Sequence, residues 1–274
     1  MTAADYSERG VRMLMHRDNM LFRQDLLDSF FAELTASVRE KVPGIYLYDC
    51  LSQWKYFLPD WVEISERGLD IWRLGKHLDC PSFYTLPVDT YGEPNCYAVS
   101  LENSILRSAS VNRHIVSGLF LGRYLYNDVY AYVTPAEAIA SSYGAGAKDM
   151  FFYGYSGLDD GGNFGKMKAG RKLSVKSGLE WFTSVREVSG ERLDDKKVGI
   201  VFPYASFTLD NRGLNDKAFR LCRNDMLGYY MQFADLGINA DILDINSVSS
   251  EELSGFDIIV LPSDPFYKLI KNES

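Results

Sequence analysis

Asp49, Asp89, Asp128 and Asp159 each fall at or just beyond the C-terminal end of a predicted strand. That is the edge at which parallel α/β proteins assemble their sites. A pair of carboxylates there supports general acid–base or nucleophilic work, whereas a single one more often closes a loop by accepting backbone N–H groups. Tyr84, Tyr153 and Tyr155 lie on or near the same strand ends. A tyrosine offers an apolar ring face to the C–H surface of a sugar and a hydroxyl to its polar groups. The competing reading is core filling, since strand alternation sends about half of such rings inward. Arg123, which follows the apolar run Gly118–Gly122, supplies a cation for a carboxylate or a sugar hydroxyl.

The elements that must position these residues alternate. Leu21–Lys41 repeats apolar residues at helical spacing and stops at Pro43-Gly44. Predicted strands follow at Ile45–Tyr48, Pro81–Leu86, Ile115–Leu121 and Met150–Tyr155, with helices at Trp61–Leu69, Leu101–His114 and Pro135–Tyr143. Asp70–Leu74 reads equally as helix or strand. Thr134-Pro135-Ala136-Glu137 combines a hydroxyl N-cap, Pro at the first helical position and a Glu reaching back, so Glu137 is assigned to a capping box. Met150–Tyr155 opens into the polar, Gly-rich stretch Ser156–Gly165, which lacks the lysine spacing of a phosphate-binding loop. Strand–helix alternation of this kind predicts a parallel sheet covered by helices.

After the predicted helix Leu173–Leu193, the charged run Asp194–Lys197 marks a domain boundary, giving 1–193 and 196–274. The second unit reads as strand Val198–Phe202, helix Asn215–Leu236 closed by Gly237, strand Ala240–Leu243, a turn at Glu251–Leu253 and strand Asp257–Leu261. This is the opening of a doubly wound sheet. A closed barrel needs about eight strands, so the first unit reads as part of one and the chain as a fragment.

Composition excludes several classes. A net charge of −8 without a basic block argues against nucleic acid. Cys50, Cys80, Cys96 and Cys222 are scattered without a C-x-x-C pair, and His16, His77 and His114 are equally dispersed, so neither a metal site nor a cofactor is expected. No apolar run approaches the ~20 residues of a membrane span. No signal peptide is read at the N-terminus, which predicts a cytoplasmic protein if residue 1 is the native start.

Asp18–Gly44, Gly68–Asp89, Gly118–Arg123, Thr134–Gly157, Lys166–Glu187 and Val198–Pro265, taken in order, resemble the glycoside hydrolase family 42 β-galactosidases. The resemblance implies an α/β fold: the C-terminal half of a (β/α)8 TIM-type barrel, about strands five to eight, then the beginning of a flavodoxin-like domain. It implies β-galactosidase-type hydrolysis in the full-length parent, a β-linked sugar as partner and a homo-oligomer, a trimer in that family. The family's retaining mechanism uses two carboxylates about 5–5.5 Å apart. The Asn-Glu of strand four would precede residue 1. At strand seven, Leu119 or a neighbour stands where the family has its nucleophilic Glu. No catalytic residue is therefore assigned, which points to a pseudoenzyme or to a non-catalytic carbohydrate-binding or scaffolding relative. Candidate sugar-binding residues are Asp49, Tyr84, Asp89, Arg123, Tyr153, Tyr155 and Asp159.

Overall fold

The computed structural model describes residues 3–50, 68–82, 84–89, 92–121, 130, 132–153, 169–186, 196–203 and 216–263. The first helix, α1 (Ala3–Lys41), begins well before the predicted Leu21. Ala, Glu, Arg, Met and Leu dominate residues 3–21 and outweigh Gly10, although they form no single apolar stripe. Met20, Gln24 and Thr35 of α1 are buried against the body, with Leu27 and Phe31 packed on its core. Gly68, at φ 70°, lies against the α1 backbone so closely that a Cβ there would meet Arg23. The predicted helix at Trp61–Leu69 lies mostly outside the described residues. The ambiguous stretch beyond it is helical: α2 (Ile71–Gly75) starts at Asp70, whose carboxylate accepts the N–H groups of Trp72 and Arg73.

The strands β1 (Tyr48–Cys50), β2 (Cys80–Ser82), β3 (Tyr84–Thr85), β4 (Val116–Phe120) and β5 (Asp149–Tyr153) are all parallel. β1 pairs with β2, and β3, β4 and β5 follow one another across a second ladder. β2 and β3 are successive pieces of one line of chain, so neighbours in sequence are neighbours in space. Helix α3 (Cys96–Ala109) runs from an Asn95 cap instead of the predicted Leu101. It ends early because Ser110 is extended and Arg113 takes φ 57°, which leaves His114 in a loop. Helix α4 (Pro135–Gly144) has both halves of the expected Thr134–Glu137 capping box. Helix α5 (Ala169–Val185) packs on α4, with Tyr143 of α4 edge-on to both Trp181 and Phe182.

Register fixes which side chains share a face, because opposed residues in a parallel ladder point the same way. Ser117 donates a hydrogen bond to Ser142 of α4 at 3.0 Å, so Ser117 and Leu119 face the helices. Phe120, Phe151 and Tyr153 face the other way. Tyr48 of β1 and Phe151 of β5 belong to the outermost strands of this row, yet their rings meet at 6.1 Å. Strands lie about 4.8 Å apart, so a flat sheet would hold those two strands roughly 14 Å apart. The sheet therefore curls toward this face, without closing into a barrel among the described residues.

The second unit holds β6 (Val198–Val201), α6 (Asp216–Asp235), β7 (Asp241–Leu243), α7 (Ser250–Ser254) and β8 (Ile258–Val260). β6 lies between β7 and β8, all parallel. Gly237, at φ 75°, follows the end of α6 as expected of a helix-terminating glycine. The units share one apolar cluster, running from Ile71, Leu101 and Ile105 to Ile200, Phe202 and Met226. Trp72 and Phe202 rings pack at 4.6 Å across the junction. Ser104 and Tyr230 are hydrogen-bonded at 3.0 Å there, and Tyr97 donates to Asp235 at 2.5 Å.

Candidate functional site at the strand ends

The curled face of the sheet carries the aromatic side chains. At the C-terminal ends of β4 and β5, Phe120 and Tyr153 stack with centroids 5.3 Å apart and planes 28° from parallel. Phe120 is buried beneath, and Tyr153 is 43% exposed. The Tyr153 ring thus rests on a buried ring while remaining partly exposed. Tyr130 donates a hydrogen bond to the Phe120 carbonyl at 2.8 Å. Burial pushes the Tyr130 hydroxyl well up, against a weaker pull from the Arg171 charge, so it remains a donor at any ordinary pH. Deeper on the same face, the Tyr48 ring meets Phe151 edge-on, and its hydroxyl accepts a hydrogen bond from Ser82 at 3.3 Å.

The carboxylates are placed differently. Asp49 pairs in register with Pro81, and Pro81 lies 3.5 Å from where a Cβ on Gly75 of α2 would stand. Asp49 thus sits on the helix-facing side of its strand. Asp89 closes a turn: its carboxylate accepts the Glu93 N–H at 3.0 Å and its own N–H donates to the Glu93 carbonyl at 2.9 Å. Leu119 is fully buried and faces the helices, and Leu121 beside it is buried as well. The backbone of Tyr84 pairs with Gly118 within the sheet. Arg123, Asp128, Tyr155 and Asp159, and the side chain of Tyr84, lie outside the described residues. Tyr153 is the sequence-predicted residue that the structure joins to another aromatic side chain at the strand ends.

Tyr48, Phe120 and Phe151 were missed as candidates. The alternation of Phe151 and Tyr153 was a usable signal, since residues two apart on a strand share a face. Tyr48 needed the cross-strand ring contact to be found.

The opposite, N-terminal end of the sheet holds an ionisable cluster. His114 lies 3.3 Å from Asp149, and its ring stands 6.2 Å from that of Tyr46. Burial first, then the neighbouring Cys80, Asp79 and Asp149, push the Tyr46 hydroxyl up to about 12. Burial also raises the Cys80 thiol, which makes it a poor nucleophile. Among the described residues no three His, Cys, Asp or Glu side chains group as a metal site, and no helix is long and apolar enough to cross a membrane.

No protein-family model and no curated protein matches the sequence. Solved structures do match the fold. A β-galactosidase from the psychrophilic Marinomonas ef1 superposes with TM-score 0.60 at 14% identity, over 94% of this chain and 43% of its own length. A cold-adapted β-galactosidase from Rahnella sp. R3 gives TM-score 0.62 at 16% identity, over 90% of this chain and 37% of its own. The chain therefore spans about two-fifths of the length of these neighbours. At such identities the likeness establishes an α/β fold shared with these two structures, and does not reach family 42 in particular.

Proposed function

We propose that this chain is a carbohydrate-binding portion of a family-42-type (β/α)8 glycoside hydrolase, with residues 1–193 as half of the barrel and 196–274 as the start of a flavodoxin-like domain. Hydrolysis of β-galactosides belongs, on this reading, to a longer parent, and the chain as it stands binds sugar without cleaving it. The observation that carries the reading is the half-exposed Tyr153 stacked on buried Phe120 at adjacent strand ends. Sequential parallel strands, their curl, and the likeness to two β-galactosidases lend support.

The solvent side of the Tyr153 ring receives the C–H face of a pyranose. Phe120 sets the tilt of that ring. Cleavage would need an acid and a nucleophile on this face. Asp49 faces the helices, Asp89 is engaged in its turn, and Leu119 and Leu121 occupy the end of β4.

Calorimetric titration with galactose and β-galactobiose, run beside an aryl β-galactoside turnover assay, tests this. The expected result is weak binding that falls roughly 5- to 10-fold in Tyr153→Ala, about the worth of one aromatic stacking contact, with no turnover above a blank. Turnover would overturn the non-catalytic assignment, and absence of binding at millimolar sugar would overturn the site.

A further inference from the structure

The sheet of the second unit ends at β7, and the pairing of β7 shows which of its backbone groups are spoken for. The Phe202 N–H donates to the Leu243 carbonyl at 2.8 Å. In a parallel ladder a residue bonded in this way turns both its backbone groups to that neighbour, and the next residue turns both away. Asp241 and Leu243 therefore serve β6. The N–H and C=O of Ile242 face the open side, where nothing among the described residues pairs with them. Ile242 is buried and lines a cleft of about 690 Å³ between the two units. We propose that this edge docks a short extended peptide of another protein, added as an antiparallel strand. Its N-terminal end is basic, its middle apolar and its C-terminal end acidic.

A buried N–H and C=O without partners are the template that strand addition uses. Folded chains ordinarily blunt such an edge with proline, lysine or a bulge. Residues 240–244 contain none of these, and pairing with β6 is unbroken from Asp241 to Leu243. The charge at the start of the strand, Asp241, is neutralised by Arg107 and Arg113. An antiparallel guest gives both Ile242 bonds to one of its own residues, and such pairing is the more stable per residue. The cleft lies within the roughly 300–1,000 Å³ of ligand sites. Since β7 has three residues, the guest is short; about five extended residues span roughly 17 Å.

The two ends of the cleft differ in charge. Lys197 immediately precedes β6, and Arg113 bonds Asp241 at the start of β7, so cations mark that end. Asp244 follows β7 and Glu251 lies in the first turn of α7, so acids mark the other. Lys197 and Glu251 are exposed and stand outside the ion pairs of the described residues. A guest running against β7 meets the acids with its N-terminal end and the cations with its C-terminal end. Apolar walls at Trp72, Leu243 and Phe256 suit β-branched side chains between.

A fluorescently labelled, capped pentapeptide of sequence lysine–valine–threonine–valine–glutamate, titrated into the full chain, tests the proposal. Saturable binding is expected, with amide exchange at Ile242 slowed roughly tenfold by nuclear magnetic resonance. The same peptide N-methylated at its central residue should not bind, because it loses the backbone donor. Lys197→Glu, with circular dichroism as a folding control, should weaken binding about 3- to 10-fold. No saturation at millimolar peptide would overturn the site. So would an N-methylated peptide that binds as well, an Ile242 amide unchanged at saturation, or a folded Lys197→Glu chain of full affinity. None of these readouts depends on sugar binding.

Discussion

Arg107 joins three parts of the molecule through one guanidinium. It donates to the Ala145 carbonyl beyond α4 at 2.9 Å and to Asp241 of β7 at 2.9 Å, from a position on α3 that is itself buried. Asp241 also receives Arg113 at 2.5 Å, and Asn239 donates to the Gly144 carbonyl at 2.9 Å. Removing one partner of a buried pair leaves the other charged and poorly solvated, at a cost of about 3–5 kcal/mol. Arg113 still faces Asp241 here, so Arg107→Ala should cost toward the lower limit, about 3 kcal/mol. Urea unfolding of Arg107→Ala, Asp241→Ala and the double variant gives the coupling directly, and a value under about 0.5 kcal/mol would show the contact to be incidental. Individual residues of this kind were scarcely legible in advance. Arg107 sat unremarked inside a predicted helix, and its meaning depends on a strand more than a hundred residues away. Asp49 shows the same limit from the other side: its place at a strand end was readable, but its face was set by register with Pro81, a long-range pairing that no local pattern encodes.

Elements were legible where their signals are local. The α4 start is an example: the Thr134 hydroxyl accepts the Glu137 N–H at 3.2 Å while the Glu137 carboxylate accepts the Thr134 N–H at 2.6 Å, as the sequence pattern requires. Thr134→Ala should therefore cost about 1 kcal/mol in denaturant unfolding, and no change would mean the box is idle. The same pattern at Ser249 and Glu252 went unread before α7, a signal present but overlooked. The N-terminal half of α1 was unreadable for a physical reason, since helical propensity there is not organised into a stripe. Its docking rests partly on charge: Arg73 reaches Asp25 at 2.7 Å and Asp28 at 3.2 Å, and His77 lies 2.7 Å from Asp28. Burial pushes the Asp28 carboxyl up, but the hydrogen bonds from His77 and Arg73 outweigh it and hold it below the usual carboxylate range. A depressed carboxylate contributes stability above its unfolded pKa, near 4, and loses it as pH falls through the lower folded value. Hydrogen exchange along α1 should accordingly speed up below about pH 4 in the native chain. In Asp28→Asn it should be faster at neutral pH with a weaker acid dependence. An unchanged acid profile would remove this carboxylate from the latch.

At the scale of the whole molecule, the question is whether the two units unfold separately. A charged linker predicts a boundary at 194–197, and the ladders β3-β4-β5 and β7-β6-β8 are separate. Their apolar residues nevertheless form one cluster, with Trp72 against Phe202 and α3 packed on both layers. A unit that detached would expose both sides of that junction to water, at about 25 cal/mol for each Å² of apolar surface. Chains of this length are not two-state by default, so the coupling must come from the shared junction. The distribution of tryptophan makes it measurable. All four tryptophans, Trp54, Trp61, Trp72 and Trp181, precede the linker. Trp181, packed on Tyr143 within the first unit, therefore reports that unit once Trp72, which touches Phe202 of the second, is replaced by Phe in the background used, while far-ultraviolet circular dichroism reports both. Ile200, fully buried in the central strand of the second sheet, is the place to perturb. Ile200→Ala should destabilise by about 2–5 kcal/mol through the cavity it leaves. If the junction couples the units, the fluorescence midpoint in urea falls by the same amount as the dichroism midpoint. A fluorescence transition left in place while dichroism shifts would show that the shared cluster does not bind the units into one folding unit.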